Sequence, residues 1–328
     1  MNKKVSVAPM MDCTDRHDRF FLRLISKNVM LYSEMVATKS AIRGDRNKIL
    51  SFSPEEKPLA LQVGGSDKKE LSEVAKIAED MGYDEININL GCPSKKVQKN
   101  MFGACLMKKP DLVSECINEM VNSCNIPVTA KTRIGFDDVE DFNYLNKFVL
   151  KMKEAGCTSF IIHARKAMLK GLSPKENLSI PKLNYDMVYK VKNENPALQI
   201  IINGGITNIE EIKNHLKICD GVMIGRAIYQ NPFFLVDIEK EIFNTKIYPT
   251  REEVAKKLLM YLEKEVKLGT KVNHIMRHTV GLYHGQIGSK KWKRYLSDNM
   301  MARDSDFKKA KHIMTIVQNN EKVNQTLL

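Results

Sequence analysis

The feature that most restricts this chain is a recurrence of short, β-branched apolar runs separated by amphipathic stretches. Eight runs stand out: VSVAPM (5–10), LYSEMV (31–36), PLALQV (58–63), EININ (85–89), PVTAK (127–131), FIIHA (160–164), QIIIN (199–203) and GVMIG (221–225). Each has strand length and turn residues at its borders. Between them lie helical patterns such as DKKELSEVAKIAEDMG (67–82) and PDLVSECINEMVNSC (110–124), the second opening with Pro110, a residue suited to a first helical position. Alternating strand and helix implies parallel strands joined by right-handed crossovers. No G-x-G-x-x-G follows the first run, which disfavours a doubly wound open sheet. The expected fold is α/β, a TIM (β/α)8 barrel.

Polar or functional residues recur at the C-terminal end of nearly every run: Met10, Glu34, Gln62, Asn89 with Cys92, Lys131, His163, Asn203, and Gly225 with Arg226. In a TIM barrel these ends converge on one mouth, where active sites are built. After Pro249 the pattern changes to helices alone. TREEVAKKLLMYLEKEVKLG begins with a Thr250…Glu253 capping box and stops at Gly269, and further helices are expected near 272–284, 289–300 and 305–319. The expected organisation is a catalytic barrel over 1–245 and a small all-helical domain over 246–328.

Charge points to a partner for that second region. From Arg251 onward there are 16 lysines and arginines against 8 acidic residues, more than half of the chain's net +13. A polyanion would sit there. The 43% apolar content is ordinary for a globular protein, no run of about 20 apolar residues is present, and only MNKK precedes the first strand-like run. A cytoplasmic protein with no membrane segment is expected, and no feature calls for an obligate protein partner. Seven cysteines, widely spaced and without a C-x-x-C pair, read as reduced thiols rather than disulfides or an iron–sulfur site. His274 and His278 are four apart but lack a third ligand, so no metal is expected.

The ends of the seventh and eighth runs, INGGI (202–206) and MIGRA (223–227), expose backbone N–H groups where barrels commonly hold phosphate, with Arg226 as a clamp. Lys131 could then form a Schiff base, supply fixed positive charge to an anionic cofactor, or sit in a structural ion pair. Met10, Met11 and Gln62 suit a flat ring system, thioethers to pack on it and an amide to bond its edge.

These segments carry a resemblance. VAPMMDCTDRHDRFFLRLIS, LYSEMV, ALQVGGSD, YDEININLGCPSKKVQKNMFGACLM, KTRIGFDD, FIIHARKAMLKGLSPKEN, INGGI, DGVMIGRAIYQNP and the later GLYHGQIGSKKWKRYLS are similar to the tRNA-dihydrouridine synthases, and to their A subfamily in particular. The resemblance spans nearly the whole chain. It implies an FMN enzyme that uses NADPH to reduce uridine to 5,6-dihydrouridine in the D-loop of tRNA, at positions 20 and 20a. It also implies FMN held by Pro9, Met10, Met11, Gln62, Lys131, His163, Asn203, Gly204, Gly205, Gly225 and Arg226, with Cys92 as the acid that protonates C5. Asn89, Arg165 and Lys175 would hold the substrate uridine, and Lys290, Lys293 and Arg294 the tRNA phosphates. Trp292 either fills the core or stacks a base. Three positions depart from the subfamily pattern: Cys13 and Met168 stand where tryptophans are expected, and Leu178 where an arginine is.

Three rival readings follow from the same residues. A flavin barrel of the dihydroorotate or dihydropyrimidine type would have no use for the basic helical tail. A class I aldolase built on Lys131 would leave Cys92 unexplained, and a non-catalytic RNA-binding protein would not need Cys92, Lys131 and His163 together.

Overall fold

The computed structural model describes residues 3–299 and 307–318, with side chains to residue 312. The last residues of the expected helical domain, 319–328, lie outside the described residues. The chain divides into two compact units, one built from the residues up to Asp12 with Val29–Gly225, the other from Cys13–Asn28 with the described residues from Arg226 onward.

The first unit is the expected barrel. Its strands are β1 (Val5–Val7), β2 (Leu31–Tyr32), β3 (Val36–Ala37), β4 (Leu59–Gly64), β5 (Glu85–Asn89), β6 (Val128–Arg133), β7 (Ser159–His163), β8 (Gln199–Asn203) and β9 (Gly221–Ile224). All pair in parallel, in the order β1-β9-β8-β7-β6-β5-β4-β2, with β3 also on β4. The remaining gap between β2 and β1 is closed through Met30. Its N–H donates to Val5 O at 3.1 Å and its carbonyl accepts from Val7 N at 2.9 Å.

Two expected strands come out shorter or split. The first ends at Val7, although Ala8 N still reaches Ile224 O at 2.8 Å. Pro9 then has no N–H to give. The second is broken into β2 and β3 because the Ser33 hydroxyl, rather than a backbone carbonyl, takes the N–H of Gln62 at 2.9 Å.

The strand period of two decides what the barrel encloses. Ala8, Met30, Tyr32, Ala60, Ile161, Ile201 and Met223 form one buried cluster. Two residues further along their strands stand Met10, Gln62, His163, Asn203 and Gly225, on the same face and nearer the C-terminal mouth. By register, Gln62 pairs with Asn87, Asn87 with Thr129 and Asn89 with Lys131, which extends that inner face across β4, β5 and β6. Ile86 and Ile88 are fully buried on the opposite face of β5.

The helices outside are amphipathic for the same reason. Helix Lys68–Asp80 is capped by Asp67, whose carboxylate accepts from Lys69 N and Glu70 N, and it buries Leu71, Val74, Ala75 and Ala78. Each such Leu or Val burial is worth about 1.5–3 kcal/mol. Helix Pro110–Ser123 packs against it, with Pro110 in its first turn.

In the second unit the Thr250–Glu253 capping box opens helix Arg251–Lys267, with both reciprocal bonds made. Helix Arg16–Ile25 belongs to this unit. Arg16 pairs with Glu265 at 2.5 Å, and the buried His278 imidazole meets Asp15 at 3.0 Å. Trp292 is fully buried, its indole N–H donating to Thr279 O at 2.8 Å, so its ring is core. No described helix is long and apolar enough to cross a membrane.

Candidate active site

At the mouth of the barrel the loop after β5 carries Cys92, and four separate contacts hold its backbone. Asn89 Oδ1 accepts from Gly91 N at 3.1 Å and Cys92 N at 2.9 Å. The Arg133 Nε–H donates to Gly91 O at 2.9 Å, and Ala104 N donates to Cys92 O at 2.9 Å. The last contact explains Gly103, which sits at φ +76°. A Cβ there would lie 2.6 Å from Cys92 O. Gln98 then ties this loop to the one after β7, donating to Pro93 O and Leu169 O, each at 2.9 Å.

The thiol itself is half-buried. Burial pushes its pKa up, while the Ser94 backbone N–H and the cations Arg133 and Lys131 oppose that shift. The net direction is upward, so Cys92 holds its proton at neutral pH and has cations near to receive the charge if it gives the proton away. The buried Cys157 and Cys219 are also pushed up, each to about 12, but they are far less accessible.

Beside the thiol is a group of basic side chains. Lys131 Nζ donates to Asn203 Oδ1 at 3.1 Å, and Asn203 Nδ2 donates to Met223 O at 2.8 Å. Burial first, and then the neighbouring Arg133, bring the Lys131 pKa down to about 7. Arg133 is buried and spends its donors on the carbonyls of Gly91, Lys166 and Asn177. Among the described residues neither cation has a carboxylate partner. Burial drives the His163 pKa well below its ordinary value, with Arg133, Lys131 and Arg165 adding to it. Its Nδ1 is buried with no hydrogen bond of standard geometry, although the backbone of Arg165 favours the protonated ring. Positive charge without a carboxylate partner is costly in isolation. The set therefore fits an anionic ligand.

The glycines around it keep space for that ligand. Gly204 and Gly205 lie at φ +119° and +75°, and a Cβ on Gly204 would meet His163 at 3.3 Å and Leu183 at 3.2 Å. Gly225 faces Met10, whose sulfur would be 3.2 Å from an added Cβ. The helix after the glycine pair begins only at Ile209 and carries Glu210 and Glu211 in its first turn. A phosphate near these glycines would depend on their backbone N–H groups, since acidic residues offset the helix dipole.

The structure thus brings Gln62, Asn89 and Cys92 together, and Lys131, His163, Asn203 and Gly204 together, with Met10 and Gly225 in contact distance of each other. Pro9 is half-buried and Met11 is 55% exposed just past β1. On the loop after β7, Arg165 turns to the carbonyls of Ser179 and Pro181, and Lys175 is exposed. Asn177 staples this loop across Met168, accepting from its N–H at 2.7 Å and donating to its carbonyl at 3.0 Å. Met168, with Lys166, Lys170, Leu172, Ile180 and Pro181, lines an open cleft here. Leu178 is half-buried in the same loop. Arg226 opens helix Arg226–Gln230 of the second unit and is exposed, and half-buried Cys13 also lies in that unit. Lys290, Lys293 and Arg294 are exposed on helix Ser289–Asn299, opposite the buried Trp292 and Leu296. His278 is buried and His274 exposed.

Asn87, on the inner face of β5, has two partners, Gln62 and Thr129. Asn87, Gly103, Thr129 and Arg133 are functional residues that the expectations from sequence do not include. Thr129 and Arg133 share the odd-numbered parity of Lys131 along β6, the signal that could have found them.

Comparison with known proteins places nearly the whole sequence in a family. A family model described as Dihydrouridine synthase (Dus) matches residues 6–320. The chain is 50% identical over 300 residues to the tRNA-dihydrouridine(20/20a) synthase of Shewanella oneidensis, covering 91% of this chain and 89% of that protein. It is 49% identical over 298 residues to the enzyme of the same name from Synechocystis sp., covering 90% and 89%, and 49% identical over 318 residues to that of Escherichia coli K12, covering 96% and 91%. A barrel with this mouth, matched along nearly all of its length, makes the chain a member of the dihydrouridine synthase family.

Proposed function

We propose that this chain reduces the C5=C6 bond of uridine to 5,6-dihydrouridine in the D-loop of tRNA, at the positions 20 and 20a that its relatives' names carry. The observation that carries the reading is a thiol whose pKa is pushed up, mounted on a braced loop beside uncompensated cations at the mouth of a barrel. FMN, bound by Pro9, Met10, Met11, Gln62, Lys131, His163, Asn203, Gly204, Gly205, Gly225 and Arg226 and reduced by NADPH, would supply the hydride for C6. Cys92 Sγ holds the proton that C5 takes. Arg133 and Lys131, whose charges already favour the Cys92 thiolate, then stabilise the anion left behind.

Asn89, Arg165 and Lys175 hold the uridine. Its base must leave the stack to enter a barrel mouth, which costs a few kcal/mol. Contacts of Lys290, Lys293 and Arg294 with tRNA phosphates offset that cost. The departures at Met168 and Leu178 lie in the loop after β7, the first altering packing around the cofactor and the second the grip on the uridine, and Asn177 preserves the shape of that loop through the backbone.

The test is expression in a host whose own enzyme for these positions is deleted, followed by mass spectrometry of purified tRNA. Dihydrouridine should return at positions 20 and 20a. Its absence, in cells that contain the folded protein with flavin absorbance, would overturn the assignment.

A further inference from the structure

A line of buried polar side chains runs up the barrel interior to the Cys92 loop, and no step above uses its lower half. At its lower end Lys3 pairs with the Glu85 carboxylate, and Tyr32 OH donates to the same group at 2.9 Å. Thr129 Oγ1 also donates to Glu85, at 2.5 Å, and accepts from Asn87 Nδ2 at 2.8 Å. Asn87 Oδ1 accepts from Gln62 Nε2, and Gln62 Oε1 accepts from Asn89 Nδ2, each at 2.8 Å. Asn89 Oδ1 ends the line on the backbone N–H groups of Gly91 and Cys92. Glu85, Asn87, Thr129 and Gln62 are each at most 1% exposed.

The direction of every bond in this line is set by its two ends. A side-chain amide can be turned round so that oxygen and nitrogen exchange places. A carboxylate only accepts, however, and a backbone N–H only donates. With Glu85 at one end and the Gly91 and Cys92 amides at the other, a single orientation of Asn87, Gln62 and Asn89 satisfies all contacts. Turning any one of them sets oxygen against oxygen or N–H against N–H in a site closed to water. Barrel interiors are ordinarily filled by layers of branched apolar residues, so stability alone does not call for this line.

We propose that Glu85, Thr129 and Asn87 are positioning residues, which set the amide orientation of Gln62 and Asn89 and through Asn89 hold the Gly91–Cys92 backbone that presents the thiol. Gln62 and Asn89 each keep a second N–H, which this orientation fixes in place for an acceptor at the mouth. The inference rests on the reading of Cys92 as the acid in uridine reduction.

Thr129→Val removes the hydroxyl at nearly constant shape, and Thr129→Ser restores it. In the full-length, flavin-loaded protein, Thr129→Val should speed hydrogen exchange at the Gly91 and Cys92 amides by roughly tenfold. It should also lower kcat for dihydrouridine formation by roughly tenfold, with KM for tRNA unchanged. Thr129→Ser should return both to wild type. Exchange and kcat unaltered in Thr129→Val would overturn the proposal, as would faster exchange without loss of kcat, or a kcat loss that Ser does not repair. Should Thr129→Val fail to fold, the same two readouts on Glu85→Gln decide, with the same directions expected. Exchange is read without turnover, so protected amides in a wild-type chain that makes no dihydrouridine would overturn the activity and leave the relay standing.

Discussion

The barrel interior has two halves of opposite composition. On β7, β8 and β9, and across the closure by Met30, the inward residues at mid-barrel are Ile161, Ile201, Met223, Ala8 and Met30, with His163 and Asn203 following at the mouth. On β4, β5 and β6, beside Ala60, they are Gln62, Glu85, Asn87, Asn89, Thr129 and Lys131, with hydrogen bonds joining Gln62 to Asn87 and Asn89, Thr129 to Asn87 and Glu85, and Lys131 across to Asn203. Both halves exclude water. The apolar half is non-directional and contributes mainly burial, whereas the polar half contributes little net stability but sets orientation. Cys92 follows directly from the polar half, which suggests why the chain accepts the desolvation of so many amides there.

The sharpest way to separate the halves is to compare losses in each. Cys92→Ala should leave folding and flavin content intact while lowering tRNA reduction by roughly 10²–10⁴-fold, the usual range for removing a general acid. Turnover of purified enzyme on unmodified tRNA measures it, and wild-type turnover would refute the acid assignment. Ile201→Ala in the apolar half should do the reverse. It should cost about 2–5 kcal/mol of stability in a denaturant melt while activity per folded molecule stays within a few-fold. If it instead abolished turnover without destabilising the fold, the division of labour would be wrong.

Gly103→Ala attacks the support of the thiol from outside the barrel. Its Cβ would collide with the Cys92 carbonyl from a left-handed backbone, and a destabilisation of about 1–3 kcal/mol is expected together with reduced turnover.

Lys131 tests the cationic end by pH. Its pKa is brought down to about 7, so between that value and the ordinary lysine range the unfolded chain holds a proton that the folded chain has lost. Stability from this group therefore rises with pH through that window, and its penalty is fully present below about 7. An anionic cofactor reverses the balance by returning the proton. Flavin binding should then take up protons and weaken as pH rises above about 7, a slope that calorimetry in buffers of different ionisation heat detects and that Lys131→Met should abolish.

The smallest effect is expected in the helical unit. Lys293→Ala should weaken tRNA binding by a few-fold and reduce the salt slope of log Kd by about 1, without altering flavin content.

Much of this site could be read along the chain because strands place residues with a period of two. Met10, Gln62, Asn89, Lys131, His163, Asn203 and Gly225 all stand in the C-terminal half of a strand or just beyond it, and in a closed parallel barrel those halves share one mouth. Arg133 was harder to interpret. A basic residue past a strand end looks like a surface charge, yet here it is buried in β6 and braces two loops that are distant in sequence. Gly103 carries no local signal either, since its constraint is the carbonyl of a residue eleven positions earlier.

The sequence by itself determined the alternation of strand and helix, the parity of inward residues and the family to which they point, because these depend on local spacing. Tertiary structure decided the rest. It split the second barrel strand at Ser33, joined the segment Cys13–Asn28 to the helical unit, and gave Asn87 its partners by laying β4, β5 and β6 in register. The physical reason is that a hydrogen bond needs both members at a defined distance and angle. A single stretch of sequence can specify a donor, but only the folded barrel supplies the acceptor.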